Sequence, residues 1–495
     1  MTRNERRRQI ATVVARHGLH QLLAVAGLGA SRSGAGPTRP RELRLALQEL
    51  GPTFIKLGQL VSTRADLLGE EYRDELAKLQ DSIPPVSGDA IWRTVDAELH
   101  GDADAAFARF DREPLAVASI GQAHLAALAD GTEVVVKVRR PGVEEQIELD
   151  LGILEECAGS ASRHWKALAS VDVHGAVDEF ARLLRSELDY VEEGRNADRF
   201  GANFAGDPDV QIPRVFWETT TPRVITLERI QGLKVNDVDA LVTAGIDTHA
   251  LAERAMKITA KMVFEDEFFH GDPHPGNFFI EPGGRIGLID FGIVGSLDDR
   301  LRDELGKILV AIVRQDAGRF ADALLGLGTS TGPVDRSELR TDFASLFSRY
   351  AGRSLGEISL GAAISEFQEI ARRHRLRLPG TLALLVKVLT MGEGMATDLD
   401  PGFRLGEALA PYARRAMLAQ LDPRALEQRL EQLALDVPGR LQRLFEILDD
   451  GEIELRLRVR DLEPLVTRLE RVGTRIAAAV LVGAILNATA TRRKR

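Results

Sequence analysis

Four short segments of the chain carry residues whose types and order suit the transfer of a phosphoryl group. Lys137 lies in the apolar run Val-Val-Val-Lys-Val, and Glu193 follows in a helical pattern. Asp272 and Asn277 come five positions apart in a loop rich in glycine and proline, and Asp290 precedes Phe-Gly. A lysine held by a carboxylate can bind nucleotide phosphates, an aspartate can accept the proton of the attacking group, and Asn and Asp can bind Mg²⁺.

Each segment also has a simpler explanation. Taken alone, Lys137 fits an edge-strand lysine that points to solvent, and the acidic residues near Glu193 fit a solvated helix face. The loop around Asp272 fits a turn with Asx caps, and Asp-Phe-Gly is a common tripeptide. The four segments nevertheless follow the order of a protein-kinase-like core, in which Asn277 stands at the required spacing from Asp272. This order favours a nucleotide site that binds ATP and Mg²⁺.

The carboxylates before the catalytic loop are predicted to lie on one helix that spans residues 174–203. Asp189, Glu193 and Asn196 are spaced i, i+4 and i+7, which places them on one helix face. We assign Glu193 to Lys137. Glu187 points about 200° away from Asp189 on an ideal helix, so we expect it to contact another partner.

The composition is that of a folded protein of two or three domains, with 495 residues, 44% hydrophobic and 28% charged. The net charge of −10 argues against nucleic-acid binding. Both ends of the chain are basic, which suits either solvated termini or contact with an anionic membrane surface. The only cysteine, Cys157, excludes an intrachain disulfide and suits the reducing cytoplasm. The apolar run at 476–486 is too short to cross a bilayer, so any membrane contact there is expected to be peripheral.

The periodicity of the apolar residues predicts an α+β protein. Helices are expected before residue 105, with a break at Gly51-Pro52. A small lobe is predicted from strands at 107–118, 122–128, 132–139, 210–215 and 223–227. Beyond it, we expect a helix over 245–270, a hairpin around Gly283-Gly284, and only helices after residue 298. Glu228 falls where the last strand of the small lobe meets a linker whose backbone would face an adenine.

Five segments follow from these patterns. They are a basic N-terminal segment and linker at 1–40, a helical extension at 41–105, an N-lobe at 106–231, a C-lobe at 232–420, and C-terminal helices at 421–495. Within the extension, Lys56 and Gln59 share a helix face at i, i+3. The residues alone predict no more there than a helix with a solvent-facing lysine.

Over about residues 45–405, the chain resembles the UbiB/AarF family of atypical kinase-like proteins. Lys56-x-Gly58-Gln59 is similar to the family's Lys-x-Gly-Gln motif, and Glu187-x-Asp189 is similar to its Glu-x-Asp motif. The resemblance implies a regulatory contact in which Lys56 and Gln59 meet Glu187 and Asp189. That contact would cover the place where a peptide substrate binds in ordinary kinases.

The nucleotide-binding segments resemble the same family. Pro114–Gln122 is similar to the alanine-rich loop that replaces the glycine-rich phosphate loop, although Val117 stands where alanine is usual. Asp272, Asn277 and Asp290 match the family's catalytic and metal-binding positions. The residues that the resemblance and the order of the motifs assign to ATP are Ala116, Val117, Ala118, Ser119, Lys137 and Glu228.

The resemblance implies a bilobal protein-kinase-like fold with an N-terminal helical extension and a mostly helical C-terminal region. It also implies ATP hydrolysis or phosphoryl transfer to a small molecule, in support of isoprenoid-quinone biosynthesis at a membrane. A lipid or quinone precursor would then be the partner, with the protein peripheral at the inner face of the membrane. Two alternatives remain open: an ATP-gated lipid-binding chaperone that transfers no phosphate, and an ordinary protein kinase.

Overall fold

The structure is a computed structural model that describes residues 1–19, 39–62, 70–81, 84–164, 173–327, 334–350, 360–376, 379–406, 408–409 and 411–412. The chain divides into two compact units, Met1–Leu418 and Ala419–Arg495, and all of the described residues belong to the first. Residues 20–38 of the predicted N-terminal segment and linker at 1–40 lie outside the described residues. So do the predicted helices at 421–495, including the apolar run at 476–486.

The N-terminal region is helical, as predicted. Its helices are α1 (Arg3–Arg16), α2 (Pro40–Leu50), α3 (Pro52–Ser62), α4 (Glu70–Ala77), α5 (Gly88–Glu98) and α6 (Ala103–Ala106). Thr2 and Glu5 form a capping box that starts α1. The predicted break between α2 and α3 is confirmed, because Gly51 takes a φ of 96° and Pro52 opens the next helix.

Within the described residues, the strands form three sheets. Their strands are β1 (Phe107–Phe110), β2 (Ala116–Val117), β3 (Gly121–Leu128), β4 (Glu133–Arg139), β5 (Val210–Gln211), β6 (Val224–Glu228), β7 (Leu233–Lys234), β8 (Phe268–His270), β9 (Phe278–Ile280), β10 (Ile286–Leu288) and β11 (Val294–Ser296). The upper lobe is built on five antiparallel strands in the order β1-β3-β4-β6, with β2 paired to β3. The strand predicted over 107–118 is therefore two strands separated by a loop.

The upper sheet presents two different faces. Val134, Val136 and Val138 of β4 are fully buried and pack with Ile91 and Val95 of α5. Because side chains alternate along a strand, the residues between these valines face the other way. That second face carries one row of directly opposed residues, Ala116, Ala123, Lys137 and Ile225.

The helical segment between the two lobes differs from its prediction. The helices there are α7 (Val143–His164), α8 (Val173–Ser186) and α9 (Tyr190–Asn203). The single helix predicted over 174–203 is wrong, because Glu187 and Asp189 lie in the turn between α8 and α9. Asp189 is the N-cap of α9, and its side chain accepts a hydrogen bond from the backbone N–H of Val191 at 3.0 Å. An aspartate at this position satisfies a donor that the new helix would otherwise leave free.

The lower lobe corrects two further predictions. Of the upper-lobe strand predicted at 210–215, Val210 and Gln211 form β5, which pairs in parallel with β10 in a lower sheet of order β5-β10-β9-β7. Val215 at its other end does bridge to Leu227 of β6 in the upper lobe, as predicted. The helix predicted over 245–270 ends earlier, and the chain continues into β8. The hairpin around Gly283-Gly284 is confirmed, with β9 and β10 paired antiparallel.

The rest of the described chain is helical after β11, as expected. The helices after β11 are α12 (Asp299–Val313), α13 (Ala317–Gly326), α14 (Arg336–Tyr350), α15 (Leu360–Arg373) and α16 (Gly380–Leu399). Helices α10 (Val238–Thr243) and α11 (Thr248–Phe264) come earlier, before the lower hairpin. Helix α16 packs against α11 within the core of the lower lobe. None of the described helices is both long enough and apolar enough to cross a membrane.

Candidate active site

A lysine and two carboxylates meet between the two lobes. The ammonium of Lys137, on β4, lies 2.5 Å from Oε1 of Glu193 on α9 and 3.9 Å from Oδ1 of Asp290. Burial alone would lower the pKa of Lys137, but the carboxylates of Asp290 and Glu193 outweigh burial and raise it. The pairing of Lys137 with Glu193 that the sequence predicts is present in the structure.

Helix α9 also fixes the segment that follows Asp290. Oε1 of Glu193 accepts a hydrogen bond from the backbone N–H of Phe291 at 3.3 Å. The side-chain amide of Asn196 donates to the backbone carbonyl of Phe291 at 3.0 Å. Phe291 is fully buried, and its ring lies 5.3 Å from that of Phe200 on the same helix. One helix therefore sets the position of Asp290 relative to Lys137.

Asp290 itself is open to the cleft. Its side chain is 51% exposed, its φ is 66°, and its Oδ1 accepts the backbone N–H of Gly292 at 3.3 Å. The left-handed backbone is one that Asp tolerates better than most residues. The Lys137 ammonium lowers the pKa of the Asp290 carboxyl, so this side chain is a carboxylate at neutral pH.

The loop that carries Asp272 is organised by a buried histidine. His270 ends β8 and is 2% exposed, and burial lowers the pKa of its imidazole. Its Nδ1 accepts the backbone N–H of Asp272 at 3.1 Å, so the proton resides on Nε2, which donates to the carbonyl of Ile289 at 3.3 Å. The neutral ring therefore ties the start of the loop to the residue before Asp290.

Asn277 forms hydrogen bonds with Asp272 and with Ile289, the residue before Asp290. Its side-chain Nδ2 donates to the backbone carbonyl of Asp272 at 3.0 Å. Its own backbone carbonyl accepts the N–H of Ile289 at 3.0 Å, one step beyond the β9–β10 pairing. Because the amide nitrogen is occupied, the amide oxygen of Asn277 is left as the acceptor on the other side of the group.

The donor set of Asn277 and Asp290 fits Mg²⁺. Within the described residues, no three His, Cys, Asp or Glu side chains form a metal-binding group. Mg²⁺ does not need such a group, because it is commonly held by one or two protein oxygens together with phosphate oxygens and water. One exposed carboxylate and one free amide oxygen on adjoining segments supply that kind of set.

The alanine-rich loop forms the turn between β2 and β3. Ala116 and Val117 pair with Ala123 and Gln122, and the N–H of Ala118 donates to the carbonyl of Gly121 at 2.8 Å. Ser119, at the tip of this turn, is 7% exposed. Because Ala116 lies in the same row of the sheet as Lys137, the loop adjoins the lysine that the sequence assigns to phosphate.

Glu228 lies at the predicted hinge, but its side chain faces away from this row. It ends β6 and pairs with Val134, which belongs to the opposite sheet face. Its carboxylate accepts the backbone N–H of Arg214 at 3.2 Å. Any contact of Glu228 with a nucleotide is therefore expected from its backbone, as the sequence analysis assumed.

The predicted regulatory residues are brought together only in part. The ammonium of Lys56, on α3, lies 2.7 Å from Oε2 of Glu187. Burial opposes the shift, but Glu187, Asp290 and Asp272 together raise the pKa of Lys56. Gln59 instead donates to the carbonyl of Leu79 at 3.5 Å, and Asp189 is occupied as the N-cap of α9.

One residue of this site was not predicted from the sequence. The ammonium of Lys387, on α16, lies 2.8 Å from Oδ1 of Asp272, although the two residues are 115 positions apart. The signal in the sequence was a single lysine inside the apolar run Leu-Ala-Leu-Leu-Val-Lys-Val-Leu. A lysine in such a run needs a partner, but the sequence does not show which one.

A strand lysine, a helix glutamate, a catalytic-loop aspartate and an aspartate before Phe-Gly on two lobes define a protein-kinase-like protein. The ABC1 atypical kinase-like domain matches residues 78–324, and the UbiB helical domain matches residues 343–404. The chain belongs to the UbiB/ABC1 family of atypical kinase-like proteins.

Individual relatives agree with this assignment. The chain is 37% identical to the protein named Probable protein kinase UbiB from Azotobacter vinelandii, over 83% of this chain and 78% of that protein. It is 33% identical to Protein ACTIVITY OF BC1 COMPLEX KINASE 7, chloroplastic, of Arabidopsis thaliana, over 90% of this chain and 66% of that protein. Among solved structures, Rv3197 of Mycobacterium tuberculosis in complex with erythromycin matches at a TM-score of 0.51 and 26% identity, over 72% of this chain and 90% of that one.

Proposed function

We propose that the chain binds ATP with Mg²⁺ between its two lobes and hydrolyses ATP or transfers its γ-phosphoryl group to a small molecule. The observation that carries this proposal is an imbalance of charge among the described residues. Three carboxylates, those of Glu187, Glu193 and Asp272, each lie within 2.8 Å of a lysine. Within the described parts of the chain, the one cation in contact with Asp290 is Lys137, at 3.9 Å. The half-exposed Asp290 is thus the carboxylate that is left available for a cation.

The residues around the cleft have different roles in binding and reacting ATP. Lys137, held by Glu193, binds the phosphates, and the turn at 116–119 covers them. Asp290 and the amide oxygen of Asn277 hold Mg²⁺, which when bound neutralises charge on the phosphate oxygens. Asp272 accepts the proton of the attacking hydroxyl or water. These roles follow the order of the motifs and the distances above.

The biological setting is also part of the proposal. Membership of the UbiB/ABC1 family supports a role in isoprenoid-quinone biosynthesis, with a lipid or quinone precursor as partner and a peripheral position at the inner face of a membrane. A second candidate is ligand binding without phosphoryl transfer. The related Rv3197, described as a complex with erythromycin, supports that candidate because erythromycin is not a nucleotide.

The test is release of inorganic phosphate from Mg-ATP by the purified full-length chain, with and without anionic liposomes. We expect Asp290→Asn to abolish Mg²⁺-dependent turnover, because the left-handed backbone tolerates Asn while the charge is lost. Asp299→Asn is the matched control, since Asp299 lies on the surface of α12 with its side chain 90% exposed. Unchanged turnover in Asp290→Asn would overturn the proposed role of Asp290, and no phosphate release by the wild-type chain would favour the ligand-binding candidate.

A further inference from the structure

Helix α16, which lies within the segment that matches the UbiB helical domain, reaches the catalytic loop through one side chain. The ammonium of Lys387 donates to Oδ1 of Asp272 at 2.8 Å. Both side chains are only partly exposed, Lys387 at 29% and Asp272 at 37%. The pair is therefore neither a freely solvated surface contact nor a closed internal one.

The backbone of the loop rests directly on the same helix. A side chain at Gly271 would meet Leu384 of α16 at 3.1 Å and Ile293 at 2.7 Å, so the loop lies close to both. Leu385 and Val388, which flank Lys387, are buried in the core of the lower lobe. Lys387 is thus carried by a rigid element and reaches a loop that is packed against it.

The polar atoms of Asp272 differ in whether they form hydrogen bonds. Its backbone N–H donates to His270, its backbone carbonyl accepts from Asn277, and its Oδ1 accepts from Lys387. Within the described residues, Oδ2 of Asp272 forms no hydrogen bond. A carboxylate that takes a proton from an attacking group needs this arrangement, with one oxygen anchored and the other facing the reactant.

We propose that Lys387 is a positioning residue that anchors Oδ1 of Asp272 and thereby aims Oδ2 at the attacking oxygen. This inference rests on the proposed function. Asp272 accepts the proton of the hydroxyl or water as that oxygen bonds to the γ-phosphorus, and the bond from phosphorus to the β-phosphate oxygen breaks with release of ADP. The helical region after the kinase-like domain is therefore part of the active site.

The pairs around the site support this role for Lys387. The ammonium groups of Lys56 and Lys137 are already bound to Glu187 and Glu193, so Lys387 is the cation that contacts Asp272. A general base contributes roughly 10²- to 10⁴-fold to rate, and small errors in its position cost part of that factor. Loss of the anchor should therefore reduce turnover without removing the groups that bind ATP.

The test compares three full-length variants in the Mg-ATP phosphate-release assay. We expect Lys387→Met to lower kcat at least about tenfold with the KM for Mg-ATP within about twofold of wild type. Lys387→Arg, which keeps the charge, should retain more of the kcat than Lys387→Met. The control is Thr397→Val, since the Thr397 hydroxyl donates to the carbonyl of Glu393 in its own helix, forms no other hydrogen bond among the residues that the structure describes, and lies on an exposed face.

Two further measurements separate positioning from a loss of structure. The melting temperature of Lys387→Met should stay close to that of wild type, and Lys387→Ala should regain part of its kcat when a small alkylamine is added. Wild-type kcat in Lys387→Met would overturn the inference, as would equal losses of kcat, ATP binding and melting temperature. If Asp290→Asn is inactive while Lys387→Met is active, only this inference fails. If the wild-type chain releases no phosphate, the proposed function fails with it.

Discussion

Two ion pairs in different parts of the molecule show how burial separates a structural contact from one that is ready for a ligand. In the N-terminal helices, Arg6 of α1 binds Asp150 of α7 through two nitrogens, at 2.6 and 2.8 Å. Thr53 of α3 donates to the same carboxylate at 2.8 Å. Arg6 is 2% exposed and Asp150 is fully buried. This network is closed on all sides.

The cleft between the lobes also contains an ion pair, but a second carboxylate beside it is half-exposed to solvent. Lys137 and Glu193 are tightly paired, but Asp290 stands half-exposed beside them at 3.9 Å. A closed network has no group left over for another molecule, whereas the cleft retains a carboxylate that lacks a close cation. We therefore expect damage to the first pair to appear as lost stability, and damage to the second to appear as lost activity together with lost stability, because Glu193 is 5% exposed.

The largest effect is expected at Arg6. Arg6→Ala would leave the buried carboxylate of Asp150 without its cation, which costs about 3–5 kcal/mol of unfolding free energy. Urea unfolding measures this loss directly. The matched control is Arg16→Ala on the same helix, because Arg16 is 61% exposed and its surface pair with Glu49 should contribute at most about 1 kcal/mol.

A double variant sharpens the same test. Arg6→Leu combined with Asp150→Leu removes both charges and should be more stable than Arg6→Ala, because no unpaired buried charge remains. If Arg6→Ala unfolds at the same urea concentration as Arg16→Ala, the pair does not hold α1 to α7 and the comparison of the two regions fails.

The next largest effect is expected at Lys137. Lys137→Met should lower the rate of phosphate release by at least about 100-fold, which is the usual cost of removing one preorganised charge that faces a reacting group. Binding of Mg-ATP, measured separately, should weaken as well. Retention of wild-type turnover would show that Lys137 does not face the phosphates.

The same variant has an expected pH signature. Burial raises the pKa of Glu193 above its ordinary 4.5, and Lys137 opposes that shift. Without Lys137 the folded state should hold a proton on Glu193 that the unfolded state releases. The unfolding free energy of Lys137→Met should therefore fall as pH rises above about 4.5, more steeply than in the wild-type chain.

A smaller effect, with its own pH dependence, is expected at His270. Burial lowers the pKa of His270 below its ordinary 6.5, so the unfolded state binds a proton that the folded state does not. This residue's contribution to stability is present above pH 6.5 and is lost as pH falls, with a limiting slope of about 1.4 kcal/mol per pH unit. Urea unfolding between pH 5 and 7.5 should show a shallower acid-side slope in His270→Gln.

Three other histidines make the variant comparison necessary, and burial lowers the pKa of one of them, His124, as it lowers that of His270. The pKa of His17 is raised by Glu42 and Glu49, and that of His249 by Asp400, so both contribute stability that is lost as pH rises. Only the difference between wild type and His270→Gln isolates His270. An identical slope in the two proteins would show that the imidazole between Asp272 and Ile289 is not held neutral.

The smallest effect on stability is expected at Lys56. Its pair with Glu187 is partly exposed, at 25% and 14%, so Lys56→Met should cost less than about 1 kcal/mol. The measurable change should be local, as faster hydrogen exchange along α3 with little change in melting temperature. A loss of unfolding free energy as large as that of Arg6→Ala would show that the Lys56–Glu187 pair is a structural contact like Arg6–Asp150.

The sequence predicted the cleft better than it predicted the elements around it. Motif order was enough to bring Lys137, Glu193 and Asp290 together, because the kinase-like fold specifies which strands and helices carry them. The catalytic roles of these residues, like the domain limits at 105, 231 and 420, stay predictions. The local hairpin at Gly283-Gly284 was also predicted correctly, since turn chemistry is encoded in neighbouring residues.

The errors share a physical origin in contacts between distant residues. The strand at Val210 finds its partner at Ile286, so its apolar pattern could not show which sheet it joins. The break before α9 depends on the side chain of Asp189, which caps that helix. From the sequence alone, the spacing of Asp189 is equally consistent with a position on a helix face. Lys387 meets Asp272 only because α16 packs under the catalytic loop, and one sequence without its relatives does not reveal that contact.

The β9–β10 hairpin sets the spacing between the two predicted Mg²⁺ ligands, Asn277 and Asp290. Asn277 accepts a hydrogen bond from Ile289, the residue before Asp290, at the open end of the hairpin. Adding or deleting one residue in the turn at 281–285 would slip the pairing of β10 with β9 by one position and so shift Asp290 relative to Asn277. The length of a turn that contacts no reactant is therefore fixed by the spacing that the two ligands require, in addition to the two glycines that its positive φ angles favour.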